Sequence, residues 1–227
     1  MYSFKSGDIV VRISFDEYFD IIDESTAAYL LNKYGMVTDV KENRSLRSGV
    51  ISLIEPHVKG SGTILDVGVG QGVNSLFFLK NGTIDRLIGM DNNPEILNVF
   101  LQNAEMLGVD DKVEVVEGDL TYGLDTRYSP DLILCMDMLY SNSPPVFGKN
   151  SGNGFLWLDN NIMVGALSDA KAYKIILTRF CGCTTGMCPT PYEMKNDLEY
   201  VDYHIVDFGS KICGPYAIDH AIATRRS

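Results

Sequence analysis

The sequence contains no uninterrupted apolar run of the roughly 18 to 20 residues that a membrane-spanning helix needs. Its first residues, among which Lys5, Asp8 and Arg12 are scattered, lack the apolar core of a signal peptide. Internal repeats and low-complexity tracts are also missing. We therefore expect a cytoplasmic protein that has no membrane partner.

Basic residues are scarce, since 19 Lys and Arg face 30 Asp and Glu and leave a formal net charge of -11. Such a balance opposes a sequence-independent grip on phosphate backbones, which depends on lysine and arginine. A nucleic-acid partner is therefore not expected. The sequence does not indicate an oligomeric state.

The five cysteines are an odd count without a secretion signal, which is typical of reduced thiols rather than of a disulfide framework. Cys181, Cys183 and Cys188, with Cys213 as a distant fourth, do not have the two-residue spacing of structural zinc knuckles. We predict no metal site, although a thiolate site in this group stays an alternative. None of the three histidines is assigned a functional role.

The 227 residues, of which 45% are hydrophobic, indicate one large domain or one domain with a small appendage. The hydrophobic period changes at about residue 60. Before it, Val11, Ile13 and Phe15 alternate as in a strand, and a helix is predicted over 27–34. A second helix is predicted from the apolar face that Leu46, Val50, Leu53 and Ile54 form before Pro56. Residues 1–45 are thus predicted to form an N-terminal cap or substrate-side segment, and residues 46–227 the main domain.

From Thr63 onward, short apolar runs alternate with amphipathic helices, a rhythm that predicts an α/β fold with a doubly wound, mostly parallel sheet. A helix is predicted from Gln71 to Asn81, and another opens with Asn93-Pro94 and closes at Gly108. The chain ends in a predicted hairpin. The predicted strands are 64–67, 87–90, 113–116, 132–136, 175–177, 201–205 and 216–224.

The clearest motif is Asp66-Val67-Gly68-Val69-Gly70-Gln71-Gly72, which leaves a predicted strand and enters a predicted helix. Glycines at such a turn let a ligand approach the backbone amides closely. A dinucleotide fold requires G-x-G-x-x-G, and Val73 stands where its third glycine would be. The chain has G-x-G-x-G preceded by an acid instead.

This motif resembles motif I of the class I methyltransferases that use S-adenosylmethionine, which implies a seven-stranded, Rossmann-like sheet of strand order 3-2-1-4-5-7-6. Downstream residues continue the resemblance. It implies that Asp91 accepts hydrogen bonds from the ribose hydroxyls and that Asp119 accepts from the adenine amino group. The implied cofactor-binding residues are Asp66, Gly68, Gly70, Gly72, Asp91, Asn92, Gly118, Asp119, Leu120 and Asp137.

Asp137 and Tyr140 are the candidate catalytic residues, because Asp137-Met138-Leu139-Tyr140 resembles the D-x-x-Y signature of seven-strand protein-lysine methyltransferases. A carboxylate and a phenol beside the reacting methyl would orient an acceptor amine. The alternative is that Tyr140 packs under the cofactor. The following Asn142 to Phe147 resembles the N-P-P-Y/F signature, but Ser143 interrupts it, so adenine or glutamine methylation is disfavoured.

The resemblance implies a methyltransferase that acts on a small-molecule acceptor. A protein-lysine methyltransferase is the second hypothesis, and a non-catalytic module that binds S-adenosylmethionine is the third. An aminopropyltransferase stays a further alternative, since one fold supports many functions. The acidic residues between Asp16 and Glu24 could favour a cationic acceptor, or they could form a solvated surface.

Overall fold

A computed structural model describes residues 13–22, 40–119, 124, 128–136, 171–180, 190–213 and 216–226 of the chain. By internal contacts the chain divides into two compact units, Met1–Glu117 and Gly118–Ser227. The strand order of the seven-stranded sheet is β3-β2-β1-β4-β5-β7-β6. The predicted fold class and strand order are confirmed. No helix in the described ranges is long and apolar enough to cross a membrane.

The first unit is a three-stranded parallel arrangement with helices. Strand β2 pairs with β1 on one side and with β3 on the other, both in parallel. Four of the five residues of β1 are buried, all but Thr63, as expected for a strand covered on both faces. The elements are a helical segment over 15–22 (α1), α2 Val40–Val58, β1 Thr63–Val67, α3 Ser75–Lys80, β2 Arg86–Asp91, α4 Pro94–Leu107 and β3 Val113–Glu117.

Helix α4 has the ends that its sequence predicts. The Asn93 side chain accepts a hydrogen bond from the Glu95 backbone N–H at 3.0 Å, and Pro94 opens the first turn. At the other end Gly108 adopts the left-handed conformation with φ of +64°. The cap at Asn93, two residues after β2 ends at Asp91, fixes the start of α4.

The N-terminal segment corrects one expectation, because the strand predicted from Val11, Ile13 and Phe15 is not found in its described part: residues 13–14 have no regular structure and residues 15–22 form a helix. The Ser14 N–H donates to the Glu17 carboxylate at 3.0 Å, and the Glu17 N–H donates to the Ser14 hydroxyl at 3.2 Å. This reciprocal capping box starts a helix. Phe15, Phe19 and Ile22 then follow a helical period, which explains why an apparent alternation at the start of the segment was misleading.

The second unit pairs parallel strands with a terminal antiparallel hairpin. Strand β5 runs parallel to β4 and antiparallel to β7, which pairs with β6. The predicted closing hairpin is therefore confirmed as part of the sheet, with a bulge between Ile205 and Asp207. The elements are β4 Leu132–Met136, β5 Lys174–Phe180, α5 Pro191–Tyr200, β6 Tyr203–Cys213 and β7 Tyr216–Arg225.

Several predictions lie outside the described residues. They include the helix over 27–34 and the residues Leu120, Asp137, Tyr140, Cys181, Cys183 and Cys188. In the described part of the chain, no group of three or more His, Cys, Asp or Glu side chains could hold a metal ion. Both the absence of a metal site and the division of the chain at residue 45 stay predictions.

Candidate functional site

The glycine loop leaves β1 in a tight turn that only glycine accommodates easily. Gly68, Gly70 and Gly72 have φ angles of +70°, +55° and +73°. Side chains with a Cβ rarely adopt this left-handed region. The N–H groups of Gly68 and Val69 both donate to the Met90 carbonyl, at 2.8 and 2.9 Å. The loop is therefore tied to the end of β2 as soon as it leaves β1.

The loop delays the start of the next helix. A helix was predicted from Gln71, but α3 begins at Ser75 and comprises six residues. The Gly72 N–H donates to the Val69 carbonyl at 2.9 Å, closing a turn in place of a helical bond. The positive φ of Gly72 is incompatible with a right-handed helix at this point, so the sequence pattern overestimated the length of α3.

Two glycines of the loop differ in what surrounds them. A Cβ built on Gly72 would lie 2.4 Å from the Phe100 ring, whereas one built on Gly70 would have no described atom within 4 Å. Gly89 in β2 also faces Phe100, with a Cβ position 2.5 Å from its ring. Gly72 and Gly89 thus make room for a buried side chain of α4. Gly70 instead keeps the surface of the loop open.

Asp91, at the end of β2, connects this loop to the start of α4. Its Oδ2 accepts from the Gly70 N–H at 3.1 Å, and its Oδ1 accepts from the Asn93 N–H at 3.0 Å. Burial raises the pKa of the Asp91 carboxyl, while hydrogen bonds from the backbone of Asn93, Gly70 and Asn92 act in the opposite direction. A carboxylate has about four acceptor positions, so capacity for a hydroxyl donor is left.

Asn103, on α4, is a supporting residue that the sequence analysis missed. Its Nδ2 donates to the Gln71 carbonyl at 2.9 Å, and its side chain is fully buried. It lies on the apolar stripe formed by Phe100, Ala104 and Leu107. A polar residue on such a stripe usually has a specific partner, and this was the available signal. Asn103 therefore holds the middle of the glycine loop against α4.

The remaining predicted cofactor residues have different positions. Asp66 is buried within β1, at 2% exposure. Asn92 is exposed and directly follows Asp91. Gly118 and Asp119 directly follow β3, whose last residue, Glu117, is paired with Asp91. Of the predicted cofactor residues, Gly70 is hydrogen-bonded directly to Asp91, and Gly68 is hydrogen-bonded to Met90, the residue before Asp91.

The second unit contains its own buried polar side chains. The Arg179 Nη2 lies 2.6 Å from the Asp219 Oδ2, and the Ser210 hydroxyl donates to the other oxygen of Asp219. The His220 Nε2 lies 3.2 Å from the Asp207 Oδ2. These pairs connect neighbouring strands of the sheet, which is a structural role and agrees with leaving His220 unassigned.

Residues 64–148 match a family model described as a methyltransferase domain. The fold is shared with the magnesium protoporphyrin IX methyltransferase of Synechocystis PCC 6803 with bound SAH, at a TM-score of 0.62 and 16% identity, over 92% of this chain and 100% of that one. This match identifies residues 64–148 as similar to a methyltransferase domain, and the solved structure shows that the chain shares its fold. Two further solved structures that share the fold contain S-adenosylhomocysteine in one case and S-adenosyl-L-methionine in the other.

Other relatives of the methyltransferase domain act on macromolecules according to their names. The chain is 32% identical over 109 residues to the ribosomal protein L11 methyltransferase of Pelotomaculum thermopropionicum, covering 47% of this chain and 34% of the relative. The m1A22 tRNA methyltransferase of B. subtilis shares the fold at a TM-score of 0.55 and 10% identity, over 78% of this chain and 65% of that one. The chain spans about a third of the length of the L11 relative.

Proposed function

We propose that this chain transfers a methyl group from S-adenosylmethionine to a small-molecule acceptor. The observation that carries the proposal is the Asp91 carboxylate, which is hydrogen-bonded to Gly70 at the carboxyl end of β2. Ligands of open α/β sheets bind at this edge. The open surface at Gly70 and the desolvated carboxylate beside it suit a ligand that brings hydroxyl donors.

In this proposal each residue of the loop has a distinct task. Gly68 and Gly70 let the cofactor approach the backbone, Gly72 makes room for Phe100, and Asp91 accepts from the ribose hydroxyls. Asn92, Gly118, Asp119 and Leu120 would border the adenine, and Asp66 would support the loop from β1. When bound, S-adenosylmethionine supplies an electrophilic methyl group on a sulfonium. The chain contributes chiefly by orienting the acceptor against that methyl.

Asp137 and Tyr140 are proposed to orient the acceptor, as the D-x-x-Y resemblance implies. We expect Asp137→Ala and Tyr140→Phe each to lower turnover by about tenfold or more while S-adenosylhomocysteine affinity changes less than about threefold, since both groups act on the reacting acceptor. Steady-state kinetics and calorimetry on the same preparations measure the two quantities. Loss of cofactor affinity together with turnover would instead make the pair part of the cofactor site.

The acceptor class rests on charge and on the relatives. A net charge of -11 disfavours nucleic acid, so a tRNA acceptor is the least favoured. The structural relative named for magnesium protoporphyrin IX matches nearly the whole of this chain, which supports a small acceptor. The L11 methyltransferase relative favours a protein acceptor, which is the second candidate.

The proposal is tested by incubating the chain with methyl-labelled S-adenosylmethionine and, separately, a protein extract, an RNA extract and a metabolite extract. Label in the metabolite fraction supports a small-molecule acceptor. Label in polypeptide would replace it with the protein-methyltransferase hypothesis, and label in RNA would contradict the argument from charge. Binding of S-adenosylhomocysteine without label in any fraction would favour a non-catalytic binding module.

Cofactor affinity is expected to rise with pH because of Asp91. Its partly buried carboxyl has a raised pKa, and the ionised form is the stronger acceptor for a ribose hydroxyl because one oxygen of the neutral acid carries a proton. Below that pKa, binding must first expel a proton, so affinity for S-adenosylhomocysteine falls by up to about tenfold per pH unit. Calorimetry across the acidic range measures the slope, which should be absent in Asp91→Asn.

The contribution of Asp91 to the stability of the unliganded chain should fall as pH rises, whereas cofactor affinity should rise. Because the pKa of Asp91 is raised by folding, the folded state binds this proton more tightly than the unfolded state. The contribution of Asp91 to stability is therefore present in full at low pH and is lost as pH rises through the raised pKa. Melting temperatures of the wild type relative to Asp91→Asn should fall over the range in which affinity rises. Parallel trends would contradict this assignment.

A further inference from the structure

The N-terminal helical segment packs directly on the helix that follows the glycine loop. The Phe15 ring stacks on the Phe77 ring of α3 at a centroid distance of 4.6 Å, and the Tyr18 ring meets Phe77 edge-on at 5.2 Å. Tyr18 and Phe19 are fully buried. Aromatic contacts of this size contribute strongly to packing, so α1 is docked on α3 as part of the first unit.

Two hydrogen bonds extend this contact to both ends of α3. The Tyr18 hydroxyl donates to the carbonyl of Val73 at 2.8 Å, at the junction between Gly72 and α3. The Ile13 N–H donates to the side-chain carbonyl of Asn81, the C-terminal cap of α3, at 3.0 Å. The segment over 13–22 therefore holds α3 from its start to its end.

Helix α3 is too short to fix its own position. It comprises six residues, and within the described structure its N-cap, Asn74, makes no capping hydrogen bond through its side chain. Helices of this length are unstable in isolation and depend on tertiary contacts. The loop that precedes α3 is tied to Met90 at its first residues and to Asn103 at Gln71. At its exit, Val73, the tie comes from Tyr18.

The segment is in turn fastened to α2. The Arg44 guanidinium donates to the Asp20 carboxylate at 2.6 Å and lies 3.7 Å from Asp16. Its guanidinium carbon also lies 6.0 Å from the centre of the Phe19 ring. Two of the acidic residues of this segment thus pair with Arg44. They serve to dock α1 as well as to carry surface charge.

We propose that Tyr18 is a positioning residue for the cofactor loop, so that docking of the N-terminal segment and cofactor binding are coupled. The hydroxyl fixes the Val73 carbonyl, which sets where the loop ends and where α3 begins. This inference rests on the proposed binding of S-adenosylmethionine at Gly68 to Gly72. Coupling is reciprocal, so a bound cofactor must also stabilise the docked segment.

The chain offers a matched control for this role. The hydroxyl of Tyr203 also donates to a backbone carbonyl, that of Ala172, at 2.8 Å, and Tyr203 is also fully buried, but it belongs to the second unit. Tyr18→Phe and Tyr203→Phe therefore each remove one buried hydroxyl bond and keep the ring. We expect both variants to melt a few degrees below the wild type. Only Tyr18→Phe should weaken S-adenosylhomocysteine binding, by about fivefold.

Calorimetry on the wild type and the two variants measures their affinities for S-adenosylhomocysteine and so tests whether Tyr18 positions the loop. Equal affinity of Tyr18→Phe and Tyr203→Phe, with the wild type binding normally, would overturn the positioning role alone. No binding by the wild type would overturn the proposed cofactor site as well. Hydrogen exchange gives the reciprocal readout: S-adenosylhomocysteine should slow exchange of the amides over 15–22 in the wild type, and should slow it less in Tyr18→Phe. Slowing confined to the glycine loop would contradict the coupling.

Discussion

Gly72→Ala is expected to destabilise the fold by about 3 kcal/mol, with contributions from backbone strain and from overpacking. The φ of +73° at this position costs a Cβ-bearing residue about 1 to 2 kcal/mol. The new methyl group would also lie 2.4 Å from the Phe100 ring, which is fully buried and has little freedom to move. Equilibrium urea unfolding of the two proteins measures the difference.

A second glycine separates these two contributions. Gly108 has a similar φ of +64°, but no described atom lies within 4 Å of its Cβ position. Gly108→Ala should therefore cost only the backbone term, about 1 kcal/mol. Trimming the ring by Phe100→Leu should make Gly72→Ala less costly than it is in the wild type. Equal losses of stability for Gly72→Ala and Gly108→Ala would mean that the Phe100 ring can move away from the new methyl group at no energetic cost.

The sheet was predictable because buried parallel strands leave a simple trace in sequence. Strand β4, for example, is the run Leu132 to Met136, and all five of its residues are buried. The ends of α4 were also readable, since Asn93, Pro94 and Gly108 act through local backbone geometry. These features depend on residues that are neighbours in the chain, which is why a single sequence was sufficient.

The contacts that shape the loop were not predictable because they join distant parts of the chain. Tyr18 bonds to a carbonyl 55 residues away, and Asn103 to one 32 residues away. Nothing local distinguishes Tyr18 from an ordinary core residue. The polar Asn103 on an apolar stripe indicates that a partner exists, but not which one. The helix over 15–22 is different, because the Ser14 to Glu17 capping box was legible and outweighs the alternation of Ile13 and Phe15.

Within the candidate site, the sequence placed the glycine loop and Asp91 at the ends of neighbouring strands but did not indicate which of their groups form hydrogen bonds. The pairing of Gly70 with Asp91 follows from their places at the carboxyl ends of β1 and β2. The sequence could not reveal that Gly72 and Gly89 have a separate role in accommodating Phe100. Motif glycines therefore divide into one that leaves the loop surface open and one that admits a neighbouring helix.

Asp91→Ala is expected to weaken S-adenosylhomocysteine binding by about 2 to 3 kcal/mol, or roughly 30- to 150-fold. The variant loses the acceptor proposed for the ribose hydroxyls. It also leaves the N–H groups of Gly70 and Asn93 without the carboxylate that now orders them, so the loop must be ordered again on binding. Calorimetry on the folded variant measures the loss.

Asp110→Ala is the control for charge in this experiment. Asp110 is an exposed acid in the short 3-10 turn before β3. Asp110→Ala removes the same charge as Asp91→Ala, but Asp110 lies before the start of a strand, whereas Asp91 lies at the end of one. The affinity of Asp110→Ala should match that of the wild type. The affinity of Asp91→Asn should lie between those of Asp91→Ala and the wild type. The amide keeps one oxygen that can accept a hydrogen bond, while its nitrogen faces an N–H donor. If Asp91→Ala bound as tightly as Asp110→Ala, the carboxylate would serve only to hold the loop, and the ribose would have to be recognised by other groups.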